Sequence, residues 1–146
     1  MIRSPVVTST VSWLTPLLLV MALFLLLRGH HEPGGGFAAG LVAAMVVLLE
    51  GQVRGAGQAR RLLRGPPHRW IAIGLGLALI SGVPALVAGD PFLAARWTTV
   101  AGVKLGTPLI FDLGVFALVT GVVATVALPL LGAADDTAPA PDREGP

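Results

Sequence analysis

The sequence predicts an all-α integral membrane protein with four transmembrane helices and with both termini in the cytoplasm. Of its 146 residues, 54% are hydrophobic and only 12% are charged, and the mean hydropathy is +0.81. A soluble domain of this size cannot bury so much apolar surface. Backbone groups in lipid must be satisfied within each segment, and the alternating pattern of barrel strands is absent, so only helices can span the bilayer here.

Four apolar runs supply these helices, because each approaches the roughly 20 residues that a helix needs to cross ~30 Å of hydrocarbon. The second run ends at Glu50, which we expect near the lipid headgroups. Arg3 makes the first run similar to a signal peptide, but no small-residue cleavage site follows it, so we expect it to be retained. The predicted helices cover residues 6–27, 36–53, 70–88 and 108–131, within a membrane domain of residues 1–132.

Positive charge decides the predicted orientation, since short loops rich in Lys and Arg remain in the cytoplasm. Residues 51–69 hold five arginines, against one arginine between the first two helices. The glycine-rich hairpin before the second helix and the connection over 89–108 then face outward. We attribute the arginines to this topology and to headgroup contact rather than to a ligand. The tail, residues 133–146, has no apolar face and is predicted to be disordered.

Small residues recur at helical spacing on three of the predicted helices, as they do where membrane helices approach closely. Alternatively, the stripes reflect only a composition rich in Gly and Ala. Four helices with small-residue faces and almost no internal polar residues favour a packing module over a pore or a reaction centre. The candidate packing residues are Gly40, Gly74, Ala78, Gly82, Gly114 and Gly121.

The segment between the first two helices is a tight turn that contains adjacent histidines, a proline and three consecutive glycines. Glycines at 34, 35 and 36 let one backbone approach another closely, and we expect this hairpin to be buried against a partner subunit. His30, His31 and Glu32 are metal-ligand types, but adjacent histidines in a turn converge poorly and His68 lies on the opposite side of the membrane. We therefore predict no metal site, and a turn or water-facing role for His30.

Asp112 is the one carboxylate embedded in an apolar run. Ionisable residues at such depth often belong to ion paths or buried pairs. Thr107 is a suitable N-cap and Pro108 suits the first helical position, so Asp112 would lie about one turn into its helix, where the dipole favours a carboxylate. Two interpretations stay open: a structural Asp stabilised by its own helix, and a contact inside a larger assembly. Lys104 is a possible partner, or it reaches the headgroups.

No enzyme template fits the sequence, which lacks the zinc-protease, serine-hydrolase and P-loop motifs. With no cysteine there is no thiolate nucleophile or iron–sulfur ligand. We expect no enzyme activity, no catalytic residue and no cofactor. Nucleic acid is excluded as a partner because the basic residues are not interleaved with stacking aromatics.

Two segments carry a family resemblance. Residues 28–41, Arg-Gly-His-His-Glu-Pro-Gly-Gly-Gly-Phe-Ala-Ala-Gly-Leu, and residues 105–116, Leu-Gly-Thr-Pro-Leu-Ile-Phe-Asp-Leu-Gly-Val-Phe, closely resemble the MrpB (MnhB) subunits of Mrp-type cation/proton antiporters. The resemblance covers about residues 6–131 and includes the four-helix layout. The motif residues that it assigns to a possible ion path or interface are His30, Pro33, Gly34, Gly35, Gly36, Phe37, Thr107, Pro108, Phe111 and Asp112.

The resemblance implies an accessory, non-catalytic subunit of a bacterial cell-membrane complex that exchanges cytoplasmic Na⁺ for external H⁺ and contributes to sodium extrusion and pH homeostasis. Its implied partners are the lipid bilayer and the subunits MrpA, MrpC, MrpD, MrpE, MrpF and MrpG. Two alternatives are a self-sufficient, homo-oligomeric ion channel or transporter, motivated by the small-residue stripes, and the equivalent module of a membrane-bound hydrogenase complex. A chain that stands alone favours the separate antiporter subunit.

Overall fold

The computed structural model describes residues 4–28, 34–100 and 103–136. Within these ranges, four helical segments are long and apolar enough to cross a membrane, which confirms the predicted number of spans. The elements, in chain order, are α1 (Pro5–Arg28), α2 (Gly35–Arg54), α3 (Ala56–Leu62), α4 (Pro67–Ile80), α5 (Val83–Val87), β1 (Trp97–Val100), β2 (Val103–Gly106) and α6 (Thr107–Asp136).

The long helices pack side by side in the order α1, α2, α6, α4. Half of the spanning part of α2 is buried, against 17% for α1, because α2 lies between two neighbours. A small apolar core forms where α2, α3 and α6 meet, from Val47, Ala59, Leu63, Ala124 and Leu128. Trp70 at the start of α4 packs against this core, and its indole Nε1 donates to the Leu63 carbonyl oxygen at 2.9 Å.

The segment predicted as one loop over 51–69 contains a short helix. Gly55, with φ +90°, separates α2 from α3, and its N–H donates to the Gly51 carbonyl. A glycine in the left-handed region is a common way to end a helix. Of the five arginines of this segment, Arg60 and Arg61 lie on α3 and Arg64 lies on the turn after it, whereas the other two lie on α2 and α4.

The third predicted span differs from a continuous helix over 70–88. It begins earlier, at Pro67, where a proline suits the first helical turn. It is interrupted at Ser81 and Gly82 between α4 and α5. Pro84 explains the interruption, because a proline nitrogen cannot donate to the carbonyl of residue 80.

The all-α prediction needs one correction in the connection after α5. Strands β1 and β2 form an antiparallel hairpin in which Trp97 pairs with Gly106 and Thr99 pairs with Lys104. The β-branched residues of this segment, which sequence analysis treated as loop, favour strand geometry. At the other end of α6, residues 133–136 are helical, and residues 137–146 of the predicted disordered tail lie outside the described ranges.

Candidate functional site at the α2–α6 contact

The two segments that carry the resemblance meet at the start of α2 and the second turn of α6. A Cβ atom on Gly36 would collide with the main-chain carbonyl of Asp112, lying 2.8 Å from its carbonyl carbon and 3.0 Å from its Cα. Side chains do not tolerate such distances, so only glycine lets these two backbones approach as they do.

The Asp112 carboxylate lies beside the first residue of α2. Its Oδ1 and Oδ2 are 3.5 and 3.6 Å from the position that a Cβ on Gly35 would take. Gly35 has φ +88°, a conformation that disfavours any side chain, and Gly34 before it gives α2 no side-chain cap. The start of a helix carries partial positive charge, which favours a carboxylate nearby.

This placement adds a possibility that the sequence did not offer for Asp112. The expected alternatives were the dipole of its own helix and a contact with another subunit. In the structure, the half-buried Asp112 side chain lies at the N-terminus of a neighbouring helix of the same chain. The close backbone approach that we expected from a partner subunit is likewise made, for Gly35 and Gly36, by the chain's own α6.

The remaining motif residues divide into three groups. His30 and Pro33, with His31 and Glu32, lie outside the described residues. Phe37 is 61% exposed and faces away from the chain's own packing.

The third group of motif residues, at the start of α6, lines a cavity of about 160 Å³ beside the interruption between α4 and α5. Ser81 and Leu93 complete the lining of this cavity. Thr107 is the first residue of α6 and is bonded to the preceding segment. Its Oγ1 accepts a hydrogen bond from the Arg96 N–H at 3.1 Å, and its own N–H donates to the Arg96 carbonyl at 2.9 Å. The motif residues of this cavity are Thr107, Pro108 and Phe111.

The candidate packing glycines line helix contacts within the chain. A Cβ on Gly74 would lie 2.6 Å from the Gly114 carbonyl oxygen, and one on Gly114 would lie 2.7 Å from the Ala78 nitrogen. Further along α6, a Cβ on Gly121 would lie 2.9 Å from the Ile71 nitrogen. The small faces of α4 and α6 thus meet each other.

On the other side of α6, a Cβ on Gly40 of α2 would lie 3.0 Å from the Phe116 carbonyl oxygen. Thr120, 3% exposed, donates from Oγ1 to the Phe116 carbonyl at 2.8 Å and lies 3.3 Å from the Gly40 carbonyl. Gly82 differs from the other candidates, because its neighbour is the Phe92 ring rather than a spanning helix.

A second carboxylate, Glu50, joins α1 to α2. Its expected position near the headgroups stays a prediction, and within the protein its side chain is only 4% exposed. Thr15 of α1 donates to its Oε1 at 2.7 Å, and Arg54 contacts its Oε2 at 2.9 Å. Arg54 also donates to the Ser12 hydroxyl at 2.6 Å. Sequence reasoning missed this polar cluster, although the Glu-x-x-x-Arg spacing places both charges on one helix face.

Next to this cluster, a cavity of about 570 Å³ opens between the α3–α4 turn and the C-terminal half of α6. We call it the basic cavity. One wall carries Arg60, Arg61, Arg64 and His68, and the opposite wall is formed by Ala124, Thr125, Leu128 and Pro129 of α6. In the described part of the chain, no group of three or more His, Asp and Glu residues is placed to hold a metal ion.

Fold and contacts together define a multi-pass membrane protein whose few polar side chains hold one spanning helix to another. Comparison with known proteins is more specific. Residues 6–125 match the family described as a domain related to the MnhB subunit of Na⁺/H⁺ antiporters. The chain belongs to this family, and with its four apolar spans it is a multi-pass protein of the bacterial plasma membrane.

Its relatives include two proteins of similar length. The B subunit of the Na⁺/H⁺ antiporter of Alkalihalophilus pseudofirmus is 31% identical over 121 residues, which cover 80% of this chain and 84% of the relative. The B subunit of the Na⁺/H⁺ antiporter of Bacillus subtilis is 34% identical over 118 residues, which cover 75% of this chain and 80% of the relative.

Two further matches are parts of much longer chains. The A/B subunit of a probable K⁺/H⁺ antiporter of Rhizobium meliloti is 40% identical over 123 residues, which are 81% of this chain but 12% of the relative. A chain in the solved structure of the Mrp complex from Dietzia sp. DQ12-45-1b superposes with a TM-score of 0.75 at 30% identity, covering 97% of this chain and 16% of that chain.

Proposed function

We propose that this chain is an accessory, non-catalytic subunit of a multisubunit Mrp-type antiporter. The complex exchanges cytoplasmic Na⁺ for external H⁺, and its other subunits are the partners of this chain. The observation that carries the proposal is the family match over residues 6–125, together with the contact at Gly36 and Asp112 between the two segments that resemble MrpB. Sodium is chosen as the cation because the relatives that match along most of their length are named Na⁺/H⁺ antiporter subunits.

The distribution of glycine contacts favours a component of a larger complex over a self-sufficient homo-oligomer. The small-residue stripes, which motivated the homo-oligomer, are covered in this structure by residues of the same chain, all of them on spanning helices except the Phe92 ring at Gly82. Apolar side chains remain exposed along α1 and at Phe37, and such surfaces suit lipid or the helices of other subunits.

A deletion strain tests the function. Everted membrane vesicles from cells that lack this gene should show no Na⁺-induced collapse of a preformed proton gradient, and a plasmid copy should restore it. A K⁺ arm in the same assay tests the choice of cation. A tagged copy should also retrieve the large antiporter subunits from membranes. Normal Na⁺/H⁺ exchange in the deletion strain, or flux by the purified chain alone in liposomes, would contradict the proposal.

We also propose that both termini face the cytoplasm. An even number of spans among the described residues supports this, as do the arginines of α3 and the following turn, because basic loops tend to remain in the cytoplasm. Because the sequence has no cysteine, Gln58→Cys gives a single reactive thiol on the exposed surface of α3. It should resist an impermeant thiol reagent in intact cells and react after lysis. Rapid labelling from outside would reverse the orientation.

A further inference from the structure

The basic cavity is the largest concentration of positive charge in the described part of the chain, and the proposed function does not use it. Its volume, about 570 Å³, is large enough for a small organic group rather than a single water or ion. Arg60, Arg61 and Arg64 converge on it from α3 and the turn after α3.

These arginines are not neutralised by acidic side chains of the described residues, where the ion pairs join Arg54 to Glu50 and Arg96 to Asp90. Glu50 lines a neighbouring cavity with Arg61 and Arg64, but its two oxygens are occupied by Thr15 and Arg54. Three guanidinium groups that line one cavity raise the positive potential there, which favours the binding of an anion.

The turn that carries the arginines is fixed to the core, so their convergence is part of the fold. Leu63 is 4% exposed, and its carbonyl accepts the Trp70 indole hydrogen bond. The next residue, Arg64, has φ +52° and donates its N–H to the Arg61 carbonyl at 3.1 Å. A left-handed conformation is unfavourable for a residue with a Cβ and persists where its surroundings impose it.

The opposite wall has a different chemistry. Its exposed residues are Thr125 and Pro129 of the spanning helix α6, and the Thr125 hydroxyl is already bonded to the Gly121 carbonyl at 2.7 Å, which leaves its methyl group and the proline ring as an apolar surface. A ligand that fills the cavity therefore needs an anionic part for the arginines and an apolar part for α6. A membrane phospholipid has both parts, with the phosphate at the depth of the headgroups and the acyl chains along the helix.

We propose that the basic cavity binds the headgroup of an anionic phospholipid from the leaflet on this side of the membrane. The phosphate contacts the arginine wall, and the first methylene groups of an acyl chain contact the exposed Thr125 and Pro129. Guanidinium groups suit this role because they bind phosphate oxygens in pairs. This inference concerns a ligand of the chain and stands apart from the transport function proposed above.

Native mass spectrometry tests it on the full chain, purified by a tag with whatever subunits remain attached, stripped of lipid and titrated with phosphatidylglycerol. Arg60→Gln should weaken binding roughly fivefold, which is the usual effect of one basic residue at a membrane surface. A triple variant with Arg60→Gln, Arg61→Gln and Arg64→Gln should weaken binding on the order of a hundredfold. Arg69→Gln is the matched control, because Arg69 is also exposed but does not line the cavity. It should bind as the wild type does.

Three further arms separate the occupants. Thr125→Phe fills the apolar side without changing charge and should weaken phosphatidylglycerol binding, whereas inorganic phosphate at equal concentration should not displace the lipid. Phosphatidylcholine should bind less well than phosphatidylglycerol.

Three results would contradict the proposal. Full displacement of the lipid by inorganic phosphate would show that the ligand of the cavity is a free anion. Equal effects of Arg60→Gln and Arg69→Gln would reduce the site to general surface charge. Loss of a copurifying subunit in Arg60→Gln, with unchanged lipid binding, would assign the cavity to a protein partner. Each of these results overturns the proposal.

Discussion

The two ends of α2 each lie beside a carboxylate, but the carboxylates are held in different ways. At the first end, Asp112 of α6 lies against glycine backbone, where the helix dipole is positive. At the last turn, Glu50 lies where the dipole is negative, and it is held by Arg54 and Thr15. An acid near the start of a helix is stabilised by the backbone itself, whereas one near the end requires a cation and a donor. The sequence around each acid reflects this difference.

The comparison also separates two kinds of helix contact. The Gly36–Asp112 end depends on the absence of a side chain, so any added atom forces α2 and α6 apart. The Glu50 end depends on side chains that form hydrogen bonds between α1 and α2. The following substitutions test this difference.

Gly36→Val should have the largest effect. Its side chain would occupy the space of the Asp112 main chain, and separating two packed helices should cost about 3 kcal/mol or more. We expect loss of the assembled protein, measured as the yield of monodisperse material and its Tm in detergent. Gly76→Val is the matched control, because Gly76 lies in α4 with no atom within 4 Å of the added Cβ. A normal Tm for Gly36→Val would show that the close approach is dispensable.

Glu50→Ala should have an intermediate effect, about 1–3 kcal/mol, because it leaves Arg54 and Thr15 without their acceptor while Arg54 remains partly solvated. A double-mutant cycle with Arg54→Leu should recover part of this loss. Asp90→Asn serves as the control, since the Asp90–Arg96 pair is nearly half exposed and such pairs contribute at most ~1 kcal/mol. If both acids gave the same change in Tm, burial of the Glu50 pair would be irrelevant to stability.

Asp112→Asn should have the smallest effect on stability, ~0.3–1 kcal/mol, if the dipole of α2 is its main stabilisation. We predict that transport falls more than stability does, because ionisable residues within apolar spans often belong to ion paths or to buried charge pairs. Sodium-dependent proton flux in vesicles, normalised to assembled complex, measures this. Unchanged flux would leave Asp112 with a structural role only.

Local features of the sequence predicted the spans but not the contacts between them. Apolar length alone identified α1, α2, the third span and α6. The contact between Gly36 and Asp112 joins positions far apart in sequence, and no local pattern states which helix face meets which. The burial of Glu50 was likewise not predicted, because nothing near it in sequence shows that Thr15 of α1 lies opposite. Pro84 could have predicted the interruption after Ile80, but the uninterrupted apolar run favoured a single continuous helix.

The position of α2 between α1 and α6 has a consequence for biosynthesis. α1 emerges from the ribosome directly before α2, but α6 follows only after the whole stretch between Arg54 and Thr107 has been made. During that time the glycine face of α2 has no partner within the chain, and α2 is also the least hydropathic of the four spans, at 1.8 against 2.1 to 2.3. In a nascent chain truncated before Thr107, the glycine face of α2 therefore lacks the helix that covers it in the folded protein.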